Sequence, residues 1–161
     1  MSNENPQYYA WPVQAVHWLV ALAILAAWAI VMVVDDLPKE QKAQLIWYHK
    51  SLGVSVFALM LVRIPLRLVF PSPRLPETTG LLFKGLAHLG HTALYVLMLA
   101  VPAVGAAMSW SNGRMVDLWG LPLPALLPEN KPYAHDLKEL HETLGNALMI
   151  VAFGHAVAAL Y

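Results

Sequence analysis

His141-Glu142-Thr143-Leu144-Gly145-Asn146-Ala147-Leu148-Met149-Ile150-Val151-Ala152-Phe153-Gly154-His155 is an apolar run with a histidine at each end, fourteen residues apart. In an α-helix that spacing is about four turns, so the two imidazoles lie roughly 21 Å apart on nearly one face. An ionisable side chain at membrane depth is costly and marks function by default. Two stacked imidazoles on one helix face point to two cofactors, one toward each side of a bilayer. His17 and His49 also sit inside apolar segments and extend the pattern to other parts of the chain.

The whole composition agrees with a membrane setting. Of 161 residues, 58% are hydrophobic and 12% charged, against about 25% charged in a soluble domain. The formal net charge is zero, which gives nucleic acid no electrostatic footing. With no cysteine, disulfides, iron–sulfur ligation, thiolate zinc sites and covalent c-type haem attachment are excluded. Residues before Pro12 include no Lys or Arg, so the first apolar run reads as a retained span rather than a signal peptide.

Apolar runs of membrane length occur four times, at about 13–34, 45–70, 81–108 and 137–161. They predict an all-α fold: one transmembrane domain over residues 1–161, a four-helix bundle with up-down-up-down topology. Asp35-Asp36-Leu37-Pro38, Pro71-Ser72-Pro73 and Ser111-Asn112-Gly113 close the first three. The connection 109–136 is rich in Pro, Gly and Trp and is expected to cap one face. His135 falls in that loop with Asp136 and is expected to be solvated.

Four antiparallel spans sort the histidines into two layers. His49 and His141 share one. His17, His88, His91 and His155 share the other. Each layer offers histidines from different helices, as axial ligation of a planar cofactor requires. Two imidazoles per layer, with no cysteine and no deep carboxylate, are too few for a closed zinc or copper site. They suffice for haem iron, whose remaining ligands come from the porphyrin.

Further residues suit that reading. His49-Lys50-Ser51-Leu52-Gly53 and His141-Glu142-Thr143-Leu144-Gly145 share the form His-x-Ser/Thr-Leu-Gly. Each glycine lies one turn after its histidine on the same face, where a missing side chain lets a macrocycle approach the backbone. Ala21 and Ala159 follow His17 and His155 in the same way. Small residues also serve plain helix packing. Arg63 lies fourteen residues after His49, on the same face but in the other layer, and is a counter-charge for a haem propionate. Arg67, one turn on, reads as a propionate contact or a snorkelling cation. His88 and His91 are an i, i+3 pair that by depth could replace His17 as partner to His155, or contact a propionate or a quinone headgroup. Most tryptophans fall near span ends, where an interfacial belt accounts for them.

Sidedness stays open on charge alone. Arg63, Arg67, Arg74 and Lys84 lie on the side of the N-terminus, against Lys39, Lys42, Lys50, Arg114, Lys131 and Lys138 opposite. The count places the N-terminus outside, but the six are spread over long, acid-rich loops.

The pattern resembles the bacterial cytochrome b561 family of dihaem inner-membrane cytochromes, related to the cytochrome b subunits of hydrogenases. Its most specific motifs are Gly85-Leu86-Ala87-His88-Leu89-Gly90-His91 and His141-Glu142-Thr143-Leu144. Val16-His17-Trp18-Leu19, Trp47-Tyr48-His49, Leu61-Val62-Arg63, Leu66-Arg67 and Gly154-His155 extend it over nearly the whole chain. The resemblance implies two haems b, one between His17 and His155 on the cytoplasmic side and one between His49 and His141 on the periplasmic side. It also implies cytoplasmic termini, against the charge count. Superoxide as electron donor, ubiquinone as acceptor, bilayer lipid and a second copy of the chain are the partners it suggests. Members usually carry a basic tail beyond the position of Tyr161, so no quinone site is assigned to one here.

Two alternatives compete with this oxidoreductase. One is a haem subunit that serves a partner dehydrogenase or hydrogenase. The other is a histidine-based transporter, disfavoured because no carboxylate lies deep in a span.

Overall fold

The computed structural model describes residues 8–70, 73 and 80–160. Four helices follow the four apolar runs: α1 (Trp11–Val33), α2 (Lys39–Val69), α3 (Leu81–Ser111) and α4 (Lys131–Ala159). All four are long and apolar enough to cross a membrane. α2 and α3, of 31 residues each, reach about 46 Å at 1.5 Å per residue, past the roughly 30 Å hydrocarbon layer. Their ends therefore stand in the interfacial zone. Pro71 and Ser72, expected to close the second span, and Arg74, counted for sidedness, lie outside the described residues.

Local chemistry sets the helix ends. Pro12 and Pro132 occupy first-turn positions of α1 and α4, where a missing N–H is harmless. Asn130 caps α4 by accepting from the Tyr133 amide at 3.2 Å. A 3₁₀ turn, Val34–Asp36, links α1 to α2, and Lys42 pairs with Asp35 across that corner. Pro65 and Pro102 lie inside α2 and α3. Each removes one backbone donor from its helix.

The bundle is all-α in its membrane part, with one addition. The third connection contains an antiparallel hairpin, β1 (Val116–Leu118) paired with β2 (Leu121–Leu123). Helix also claims more of that connection than the apolar pattern did. α3 runs on to Ser111, and α4 begins at Lys131 rather than near 137. His135 is thus on the first turns of α4 and not in a loop; it is exposed, 3.8 Å from Glu139. The apolar count missed this extension because its residues are polar, while the Asn130 cap and Pro132 start the helix ahead of the membrane.

Packing is sequential: α1 on α2, α2 on α3, α3 on α4. No Cα of α4 lies within 8 Å of α1 or α2. A core of Val20, Val56, Met60, Leu94, Met98 and Leu148 closes the middle of the bundle. Leu148 is midway between His141 and His155, so the apolar core separates the two histidine levels. Many large apolar side chains, such as Leu22, Leu68, Leu89, Ile150 and Phe153, point outward. Such a surface is at home in hydrocarbon and not in water.

Candidate functional site: two histidine pairs between unpacked helices

The four deep histidines meet in two pairs. His49 of α2 faces His141 of α4 with ring centres 6.1 Å apart and planes at 89°. His17 of α1 faces His155 of α4 at 6.3 Å and 82°. In both pairs α4 reaches a helix with which its backbone does not pack. The rings thus span a gap instead of lining a packed interface.

That separation has a chemical meaning. Imidazole nitrogen sits about 2 Å from a first-row metal, and its ring centre about 1 Å further, so two rings on opposite sides of one metal have centres about 6 Å apart. Both pairs match. Among the described residues no group of three or more His, Cys, Asp or Glu side chains is arranged to hold a metal ion. The donors therefore suit a metal that brings its own equatorial ligands, as haem iron does.

The histidines at the first level are also held in one tautomer and orientation. His49 Nδ1 lies 3.0 Å from the Ala27 carbonyl oxygen of α1, and His141 Nδ1 lies 3.0 Å from that of Val101 in α3. A carbonyl oxygen only accepts, so each Nδ1 carries hydrogen and donates. In the neutral ring the lone pair then sits on Nε2, as an axial ligand needs.

Glycines shape the space around His141. A methyl group at Gly105 of α3 would fall 2.9 Å from His141 Cε1 and 3.1 Å from Nδ1. Gly105 is therefore bare because the imidazole lies over it. Sequence reading missed this residue, since Gly105-Ala106-Ala107 has no histidine beside it; its only signal is a small-residue run level with His141. Gly145 has no protein atom within 4 Å of the place a Cβ would occupy, so the face after His141 is open. Gly53 differs. A Cβ there would stand 3.9 Å from Pro102 of α3, an ordinary packing distance, so Gly53 lies at the α2–α3 contact rather than on an open face.

The second level carries charge and a third imidazole. His91 lies beside His155, ring centres 5.1 Å apart, closer than opposite ligands of one metal stand. Its Nδ1–H donates to the Ala87 carbonyl of its own helix. His88 points outward, and its carbonyl accepts from Thr92. Of the two, only His91 joins the cluster. Arg63 acts electrostatically on both His17 and His155 and stacks over Tyr95 at 5.9 Å. Its Nε and Nη1 are buried without a hydrogen-bond partner. An unpartnered buried guanidinium is costly and calls for an anion. Arg67 stacks over Tyr9 at 5.1 Å, with Nη1 likewise unpartnered.

The hairpin fastens onto α2 beside His49. The Trp47 indole donates to Asp117 Oδ2 at 3.0 Å, Lys50 donates to the Met115 carbonyl at 3.1 Å, and buried Ser51 donates to the Asp117 carbonyl at 3.4 Å.

Comparison with known proteins bears on this arrangement. Residues 8–161 match the family described as prokaryotic cytochrome b561. The chain is 32% identical to a Yersinia pestis protein named probable superoxide oxidase CybB, over 90% of this chain and 82% of that one. It is 26% identical to cytochrome b561 homolog 2 of Escherichia coli K12, covering 98% and 86% of the two chains. Cytochrome b561 homolog 1 of the same strain is 25% identical, covering 90% and 84%. With its four membrane-length helices and paired histidines, the chain belongs to the prokaryotic cytochrome b561 family of membrane-bound, haem b electron-transfer proteins.

Proposed function

We propose that this protein carries electrons across the bacterial inner membrane through two haems b, from superoxide on the periplasmic side to ubiquinone. The observation that carries this reading is the pair of 6.1 and 6.3 Å histidine couples, one on each side of an apolar core. His49 and His141 would hold one haem, and His17 and His155 the other. Haem iron between two imidazoles has no open position and passes one electron at a time.

The chain's own residues prepare that chemistry. Backbone carbonyls of Ala27 and Val101 hold Nδ1–H of His49 and His141, so Nε2 is the nitrogen turned to the cofactor. Gly105 and the open face at Gly145 leave room beside His141. Arg63 supplies positive charge for a propionate at the His17/His155 level, with Arg67 and His91 at its edge. The core of Val20, Val56, Met60, Leu94, Met98 and Leu148 excludes water between the levels.

Superoxide as donor follows the name of the Yersinia relative. Two superoxide ions would each give one electron and leave as dioxygen; one ubiquinone would take both with two protons. The hairpin and the His49/His141 level would face the periplasm, with both termini in the cytoplasm and lipid around the outward apolar side chains. Purified protein tests the reading. Added superoxide should reduce the haem, and a ubiquinone analogue should reoxidise it. Haem that ignores superoxide but is reduced by a co-purifying dehydrogenase would replace the oxidase with a partner-dependent subunit.

A further inference from the structure

The hairpin over the His49 level breaks the rule of its own turn. β1 and β2 are joined by Trp119-Gly120, with φ of 53° and 92°. Two positive φ values in a two-residue connection mark a type I′ turn, which favours Asn-Gly or Asp-Gly. A bulky residue in the left-handed region is strained and persists only where its surroundings hold it. Such local misfits tend to fall at functional positions.

The surroundings here are one face of α2. The Trp119 indole N–H donates to Ser55 Oγ at 3.0 Å, and the Trp119 amide to Ser51 Oγ at 3.4 Å. Its ring lies 5.9 Å from that of Trp47 and 6.3 Å from that of Tyr48. Trp47, Tyr48, Ser51 and Ser55 bracket His49 on the same helix. The strained residue is thus docked on the same helical turns as His49, on the face turned away from the imidazole. Asparagine would suit the backbone better but would make none of these ring contacts.

We propose that Trp119 is a positioning residue for the cofactor held by His49: its indole, itself half exposed, fixes those turns of α2, and the fixed turns keep water from the cofactor. This rests on His49 and His141 being haem ligands. Ferric haem bears one more positive charge than ferrous haem, and water favours the more highly charged form. Loss of the indole therefore lowers the potential of that haem and leaves the other in place.

Trp119→Asn tests this, because Asn favours the turn and any loss must come from the ring. The membrane-bound holoprotein would be purified in detergent and titrated potentiometrically. His141→Ala identifies the component that belongs to the His49 level. Trp119→Asn should retain haem yet shift that component downward, changing its reduced-to-oxidised ratio at fixed potential about threefold, or about 28 mV at 59 mV per tenfold for one electron. Trp119→Phe, which keeps a ring, should recover most of the shift. Amides of residues 116–123 should exchange hydrogen faster in the Asn variant, a reading independent of haem. Unchanged potentials, equal movement of both components, or unchanged exchange would overturn the proposal. If the Asn variant does not fold, Ser55→Ala, which removes the acceptor of the indole N–H together with the Ser55 bond to the Ser51 carbonyl, carries the same expectations. Absence of haem from the unaltered protein would be seen before any variant and would remove the ligand assignment and this proposal together.

Discussion

Each of His49 and His141 makes one hydrogen bond to a backbone carbonyl on a neighbouring helix. The side chains were legible in the sequence because a histidine in an apolar run is conspicuous; the carbonyls were not, because a backbone acceptor has no letter. Gly105 was hidden for a related reason. Its role depends on what lies across from it. Gly105→Ala puts a methyl 2.9 Å from the His141 ring, and overpacking of that kind costs about 1–3 kcal/mol. The expected result is haem content falling toward one per chain, with the His17/His155 haem retained, as read by pyridine haemochrome assay. Arg63→Met acts at the other level. Removing an unpartnered cation favours the ferric form, so the midpoint potential of that haem should fall while the other stays fixed. An unchanged titration would mean that Arg63 faces lipid headgroups instead.

At the scale of elements, α4 carries one histidine of each pair, so its axial position sets both pairs at once. The apolar pattern located its membrane part but not its start, since Asn130, Pro132 and the polar turns that follow act through capping rather than burial. Asn130→Ala removes the acceptor for the Tyr133 amide and should cost about 1 kcal/mol. In a thermal melt of the detergent-solubilised protein that is a fall of about 2–4 °C, with haem content unchanged. The hairpin was illegible for another reason. Trp119-Gly120 lacks the Asn or Asp that announces a tight turn, and three-residue strands are too short for alternation to register. Position near span ends accounts for most tryptophans, and it carries no sign of the specific hydrogen bonds that Trp47 and Trp119 make between α2 and the hairpin.

For the whole molecule, the informative feature is what does not pack. α1 and α2 pair, α3 and α4 pair, and α2 joins α3, while α4 stays apart from α1 and α2 except where histidines reach across. The sequence foretold four spans and two histidine levels, because both follow from periodicity and depth. Choosing His17 over His88 or His91 as the partner facing His155 needed either the family resemblance or the coordinates, since all three lie at similar depth. The account's central claim is that these two gaps each hold a haem b. Haem and protein quantified together, for the unaltered chain and for His49→Ala and His17→Ala, test it most directly. Two haems b per chain in the unaltered protein and about one in each variant is the predicted result. One haem or none in the unaltered protein, or two retained after either substitution, would contradict it.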